Sequence, residues 1–322
     1  MIIEKIKEII SEDLKKVDNI INNSLNSNLK LINDINKYII HNKGKRLRPT
    51  ILLLIAKACK YKGNNHISSA AIIELIHTAT LLHDDVIDES LIRRNQQTIN
   101  NKWDNKVAIL VGDFLYSRAF QIMVKIKNIN ILKILSNSTN TLSEGEILQL
   151  IQKKNFNINE NNYLKIIHYK TATLFQAAAN IGSLLNNNTE HLSKNISKYG
   201  FHLGIIYQLI DDILDYLSKK NLYGKYDGND LKDGKLTLPL IYILKNGKKE
   251  EKNLIINNII TKNKNSLKDI KEIIINSNAI EYTMSIAKKH ANEAKKAISL
   301  LPKSKYLDSL IFIIDFTINR KY

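Results

Sequence analysis

The sequence predicts an all-α fold, a single domain of residues 1–322 built as a bundle of helices. Three observations carry that reading. Apolar residues recur at three- and four-residue spacing along almost the whole chain, the period of a helix that buries one face. Runs that alternate apolar and polar over a strand length are rare, and the Asn-Gly step typical of hairpins occurs only at Asn246-Gly247, between segments of helix period. The 3 prolines, Pro49, Pro239 and Pro302, lie far apart and leave long stretches free of that breaker.

Each element follows from the same signals. At the amino terminus Ile6, Ile9, Ile10, Leu14 and Val17 fall on one face, and the Glu, Lys and Asp between them make Met1 to Val17 an amphipathic helix, not a signal peptide. Ile72, Ile73, Ile76 and Thr80 mark a long apolar helix, and Leu307, Leu310, Ile311 and Ile314 the last one. Breaks fall at Asn42–Arg46, Tyr61–Asn65, Asn101–Asn105, Asn155–Asn162, Asn186–Thr189, Asn221–Gly234 and Asn246–Glu251, which bound roughly ten helices. No solenoid repeat or Ser/Gly linker divides the chain. The Lys/Asn-rich stretch from Asn246 to Asn265 reads as a solvated loop region.

Composition excludes several classes. A lone Cys59 rules out a disulfide scaffold and suits a reducing, cytoplasmic setting, and a 44% apolar fraction rules out disorder. No run reaches the ~18 unbroken apolar residues of a membrane span. The net charge of +17 has no nucleic-acid motif or aromatic interleaving beside it, so no nucleic-acid partner is expected; most of the excess sits in Lys/Asn-rich segments that look like compositional drift.

The chemistry is concentrated in two acidic clusters. His83-Asp84-Asp85-Val86-Ile87-Asp88-Glu89 closes the apolar run Ile72–Leu82. At ~100° per residue Asp84 and Asp88 lie about 40° apart, one turn along a helix, and such carboxylates repel unless a cation joins them. The same Asp-Asp-x-x-Asp spacing returns at Asp211, Asp212 and Asp215, again inside an apolar helix. Two such helices face to face would offer oxygens to several hard cations of the Mg²⁺ type, and Mg²⁺ shares its shell with phosphate oxygens. Basic residues stand nearby in sequence: Lys45, Arg46 and Arg48 before Pro49, Arg93 and Arg94 after the first cluster, Lys170-Thr171, and Lys225 to Lys235. Arg forks and Lys point charges suit a diphosphate. No Walker-type run is present.

These segments, together with Gly44-Lys45-Arg46-Leu47-Arg48-Pro49, Gly112-Asp113-Phe114-Leu115, Glu144-Gly145-Glu146, Lys170-Thr171-Ala172, Gln208-Leu209-Ile210-Asp211-Asp212 and Thr237-Leu238-Pro239-Leu240, resemble the ordered motif series of trans-polyprenyl diphosphate synthases from Asn42 to Leu240, with a weaker echo at Arg320. Within that family the order, spacing and length look most like the octaprenyl branch. The resemblance implies an orthogonal helical bundle of isoprenoid synthase type around a deep central cavity, a homodimer, and two or three Mg²⁺ ions. Asp84, Asp88 and Asp211 would hold the metal, with Asp85, Asp212 and Asp215 completing the catalytic carboxylates. Arg93, Lys170, Thr171, Gln208, Lys225 and Lys235 would contact an allylic diphosphate such as farnesyl diphosphate; Lys45, Arg48, His77 and Arg94 would hold isopentenyl diphosphate. The general reading of His77 alone is a core histidine.

By that resemblance the reaction is repeated condensation: the diphosphate departs, the isopentenyl double bond attacks the allylic cation, and the released diphosphate takes the proton. Ala79 and Thr80, small residues a turn before Asp84, are expected to line an open shaft and permit a long product for a quinone side chain. Met123 is a candidate floor by resemblance, against ordinary core filling. Lys43, Tyr207, Asn229 and Leu236 depart from the family pattern, and the Asn229 change is expected to weaken a flap. A different product of thirty to fifty carbons, a non-catalytic regulatory subunit and a terpene cyclase remain open; the intact acidic motifs and the Lys45/Arg48 loop weigh against the last two. Some surplus positive charge would suit transient contact with an anionic membrane surface during product release.

Overall fold

The computed structural model describes residues 2–42, 44–153, 155–186, 188–217, 229–261 and 266–320. Their helices are α1 (Ile2–Ile9), α2 (Ser11–Ser24), α3 (Lys30–His41), α4 (Leu47–Ala58), α5 (Asn65–Ile87), α6 (Ile99–Lys102), α7 (Asn105–Ile126), α8 (Ile129–Gln152), α9 (Glu160–Ile167), α10 (Thr173–Leu184), α11 (Glu190–Leu217), α12 (Asn229–Lys232), α13 (Leu238–Asn246), α14 (Lys249–Thr261), α15 (Leu267–Asn276), α16 (Ala279–Ile298) and α17 (Lys305–Asn319). A two-stranded ribbon, β1 (Ile92–Arg93) and β2 (Gln96–Gln97), is the sheet among the described residues.

The all-α reading holds, with more and shorter helices than the sequence suggested. The amino-terminal segment is two helices that part at Ile10. The part of the Asn246–Asn265 stretch that the structure describes is mostly helix: α14 fills Lys249–Thr261 and buries Ile255 and Ile259, because its apolar residues fall three to four apart among the lysines and asparagines. The breaks that sequence reading passed over use non-glycine residues at positive φ, Glu89, Arg94, Asn95 and Lys127 among them, so no Gly or Pro announces them.

α4 is the core of the bundle. Every residue from Pro49 to Ala58 except Lys57 is buried, and the helix packs against α5, α10 and α17. α11 lies against α10 and α16, and α5 against α7. One apolar cluster runs from Ile6 to Ile314; fully burying a side chain such as Phe175 contributes roughly 1.5–3 kcal/mol. The amino-terminal pair of helices is fixed by Asp13, which Lys57 meets at 2.8 Å and His66 at 3.3 Å. α7 is long and apolar enough to cross a membrane by length and composition, with 33% of that window buried.

Candidate active site

α5 delivers Asp84 and Asp85 in its last turn and Asp88 at its C-cap, where the Asp88 N–H still donates to the Asp84 carbonyl at 2.8 Å. Asp84 and Asp88 therefore stand one helical turn apart. Burial pushes the Asp84 carboxyl up, Lys170 draws it back, and Asp88 pushes it up again. Its Oδ1 is buried with no hydrogen-bond partner, an unmet acceptor that suits a hard cation. Asp85 faces away: it is buried, and one of its oxygens takes both Nε and Nη2 of Arg93 at 2.8 Å. It anchors the arginine and has that oxygen already engaged.

Between α9 and α10 the chain makes one π-helical turn, His168–Ala172, in which the Thr173 N–H reaches back to the His168 carbonyl. Such a turn holds an extra residue, and neighbouring helices close tightly on it. A Cβ on Gly145 of α8 would come within 2.9 Å of the Lys170 nitrogen, and one on Gly204 of α11 would run into Ala172 Cα. Consecutive residues of the turn consequently serve different motifs. Lys170 Nζ donates to Glu146 Oε2 at 2.7 Å and lies 3.9 Å from Asp84 Oδ2. Thr171 Oγ1 donates to Gln208 Oε1 at 2.8 Å, and Gln208 Nε2 donates to Asp212 Oδ1 at 2.7 Å. Adjacent residues of one turn thus reach the first acidic motif and, through Gln208, the second.

In the second motif Asp212 is fully buried, with Tyr163 Oη donating to Oδ2 and Lys235 Nζ 3.8 Å from Oδ1. Burial pushes its carboxyl up to about 6 against the pull of Lys235. Lys235 also donates to Asp230 at 3.1 Å; burial works against its charge, but Asp230 and Asp212 outweigh it and hold the ammonium above its ordinary range. Asp215 accepts from the Asp230 N–H at 3.1 Å. Asp211 is met by Arg320, which also donates to the Tyr207 carbonyl at 2.8 Å and lies over the Tyr207 ring.

A second basic group forms beside the first. Arg48 Nη1 lies 3.0 Å from His77 Nε2 and its guanidinium 4.3 Å from the Phe175 ring centroid. Arginine only donates, so His77 accepts at Nε2 and carries its proton on Nδ1. Burial, and then Arg48, hold His77 well below its ordinary range, so it is neutral. Arg48 Nε is buried without a partner, a donor left for an anion. Lys45 is exposed, and partial desolvation and then Arg320 draw its ammonium down. Arg94 donates to the Asn42 carbonyl at 3.0 Å and lies against Gly44, where any Cβ would meet its guanidinium. Arg46 sits apart from this group, paired with Glu74 at 3.0 Å and Asp18 at 3.3 Å.

A family profile described as Polyprenyl synthetase matches residues 29–276. The chain belongs to that family. The polyprenyl synthetase chain is 40% identical over 321 residues to octaprenyl diphosphate synthase of Escherichia coli, covering 99% of both. It is 38% identical over 312 residues to the geranyl-diphosphate-specific all-trans-nonaprenyl-diphosphate synthase of Rhodobacter capsulatus, covering 97% of this chain and 96% of that one. Its fold superposes at a TM-score of 0.95, with 33% identity over 99% of this chain and 98% of the other, on a polyprenyl synthase of Caulobacter crescentus complexed with calcium and isoprenyl diphosphate. This polyprenyl synthetase is a trans-prenyltransferase.

Most of the expected site residues meet here, and Lys225 lies outside the described residues. Of the two residues expected along the shaft, the structure closes over Ala79. It has no accessible surface and shares its helical face with buried Leu75 and Leu82, whereas Thr80, about 100° round the helix on the Asp84 face, stays partly open. Met123 is buried within the apolar cluster. Four polar residues received no role from sequence: Glu146, Tyr163, Asp230 and Arg320. Glu146 stood in a quoted motif; Tyr163 carries no signal beyond helix period, because its partner Asp212 is 49 residues away. Burial and then Asp84 push the Glu146 carboxyl up to about 7, against Lys170.

Proposed function

We propose that this chain is a Mg²⁺-dependent octaprenyl diphosphate synthase that extends an allylic diphosphate, farnesyl diphosphate for preference, with isopentenyl diphosphate to supply a quinone side chain. The carrying observation is the π-helical turn: Lys170 reaches the first acidic motif and Thr171 the second, so one element brings both to a shared diphosphate. The unmet Asp84 Oδ1 and the hard oxygen donors fit Mg²⁺, with Asp84, Asp88 and Asp211 as its holders. Two or three ions bound there would neutralise the departing diphosphate as Lewis acids. Arg93, locked by Asp85, and Lys170 and Lys235 hold the same group and stabilise its charge as it leaves. Gln208 and Thr171 fix its orientation. Arg48, Lys45 and Arg94 hold isopentenyl diphosphate, with neutral His77 keeping the Arg48 fork aimed.

Residues 1–322 act as one domain in this reading, and two copies pair. The support is an apolar stripe left exposed on α7 and α8: Leu110 at 66%, Val124 at 69%, Ile147 at 58% and Ile151 at 67%. The cytoplasm, with transient contact to anionic membrane for product release, suits the reduced Cys59 and basic surface.

Incubation of the purified chain with farnesyl diphosphate, labelled isopentenyl diphosphate and Mg²⁺ tests the proposal. An eight-unit product is expected; no extension overturns the enzyme reading, and another length moves the chain to a sibling specificity. Thr80→Tyr should shorten the product while keeping the fold. Ala79→Tyr should instead lower Tm, since overpacking a closed site costs about 1–3 kcal/mol; a shortened product at unchanged Tm would return Ala79 to the shaft.

A further inference from the structure

Away from the acidic motifs, α11 and α16 bring two histidines together. His202 Nδ1 and His290 Nδ1 lie 2.9 Å apart. Nitrogens that close must share one proton, one ring donating and the other accepting, so each ring aims the same ring position at a common point. The arrangement is held from the side: Phe201 packs against His202 with ring centroids at 5.0 Å and against His290 at 6.2 Å. Both histidines are half-buried, so solvent reaches the pair. Glu293, one turn past His290, acts on both rings in favour of positive charge, and Lys198, one turn before His202, opposes it.

We propose that His202 and His290 form a two-histidine site for a borderline transition-metal dication, Zn²⁺, Ni²⁺ or Cu²⁺, which takes the place of the shared proton and staples α11 to α16. Imidazole nitrogen suits these ions, whereas Mg²⁺ prefers oxygen, so the site is chemically distinct from the acidic one. Metal–nitrogen bonds of about 2.0–2.1 Å at a tetrahedral angle set the two nitrogens about 3.3 Å apart; the nitrogens need to part by only a few tenths of an ångström, and each ring to turn until its lone pair meets the metal. The proton now between them moves through solvent to Nε2 of the donor ring, so both rings ligate as neutral imidazoles and no net proton is released. No third His, Cys, Asp or Glu joins the pair as a ligand among the described residues, so water completes the shell. The lone pairs are available near neutrality: burial and then His290 push His202 down to about 4, and burial lowers His290 against the pull of Glu293.

The test is titration of the full-length chain with Ni²⁺ by calorimetry in excess Mg²⁺, with Cu²⁺ and electron paramagnetic resonance in parallel. One nitrogen-type site is expected, with two equatorial nitrogens on Cu²⁺ and a Tm that rises with Ni²⁺. His202→Asn and His290→Asn should each weaken binding by ~10-fold or more and leave one nitrogen, while Asp84→Asn leaves binding unchanged. Variants that bind as tightly as the parent overturn the proposal, and so does a parent Cu²⁺ spectrum of oxygen ligands alone, which decides the matter even where a variant fails to fold. In those cases the pair is a hydrogen bond between helices and nothing more. Loss of prenyl transfer does not enter these readouts, so the site stands or falls apart from the proposed enzyme activity.

Discussion

The two acidic motifs share one spacing and differ in how the chain completes them. At the end of α5, Asp84 keeps a buried oxygen with no partner, and the helix stops at Asp88. In α11 the chain's own cations are already in place: Arg320 on Asp211 and Lys235 near Asp212. The middle aspartates resemble each other more than they resemble their neighbours. Asp85 grips Arg93, and Asp212 gathers Tyr163, Gln208 and Lys235. On the function proposed above, a repeated Asp-Asp-x-x-Asp is a division of labour: the outer carboxylates would face the ions, while the middle ones aim the basic and amide groups they already hold. The first motif keeps an open acceptor beside Lys170; the second has Arg320 on its first carboxylate and Lys235 near its middle one.

The sharpest way to break that comparison is at Asp84. Asp84→Asn should lower kcat/KM by about 10³-fold or more, with a steeper demand for Mg²⁺; an effect within tenfold would mean that the unmet oxygen is not a metal ligand. Tyr163→Phe removes one hydroxyl from the Asp212 cluster and nothing from the metal shell. A 10–100-fold fall in kcat is expected, with helical content unchanged by circular dichroism, and activity equal to the parent would strip Asp212 of its organising role. On the α5 side, Asp85→Asn frees Arg93. The allylic-substrate KM should rise by about tenfold while kcat changes little, since a hydrogen bond to a charged group contributes ~1.5–3 kcal/mol; a kcat effect without a KM effect would return Asp85 to the ions. The smallest signal is a proton count. Glu146 sits beside Asp84 with its carboxyl raised to about 7, so it is largely protonated at pH 6. Mg²⁺ should release that proton around pH 6–7 and release little at pH 8, where the group is already ionised; Glu146→Gln should abolish the release, as read by calorimetry in buffers of different ionisation enthalpy.

Much of this was legible in the residues. The helical period, the paired acidic clusters and the basic loop at Lys45 to Arg48 all announce themselves, because each depends on neighbours within a turn or two. The division of labour within each motif does not. Asp84 and Asp85 are the same residue type side by side, and only the direction each faces, Asp84 toward Lys170 of the π-turn and Asp85 toward Arg93 of the β-ribbon, separates their roles. Tyr163 and Arg320 act on aspartates 49 and 109 residues away, distances that no local pattern spans. The turns at Glu89, Arg94 and Lys127 were invisible for another reason: charged residues take up the left-handed backbone there, where sequence reading looks for Gly or Asn.

The π-helical turn His168–Ala172 also sets a phase. An ordinary α-helix running from α9 into α10 would present its residues on a fixed 100° clock, and the one added residue resets that clock partway along. Upstream of the reset the helix keeps time with Asp212 through Tyr163; downstream it keeps time with α4, where Arg48 lies over the Phe175 ring and Gly182 lies against Leu52 and Ile55. Lys170 and Thr171 occupy the interval between the two, where neither the core nor the second motif alone dictates which way a side chain points. The local irregularity lets the segments on either side keep their own register, with Lys170 and Thr171 falling where the two registers meet.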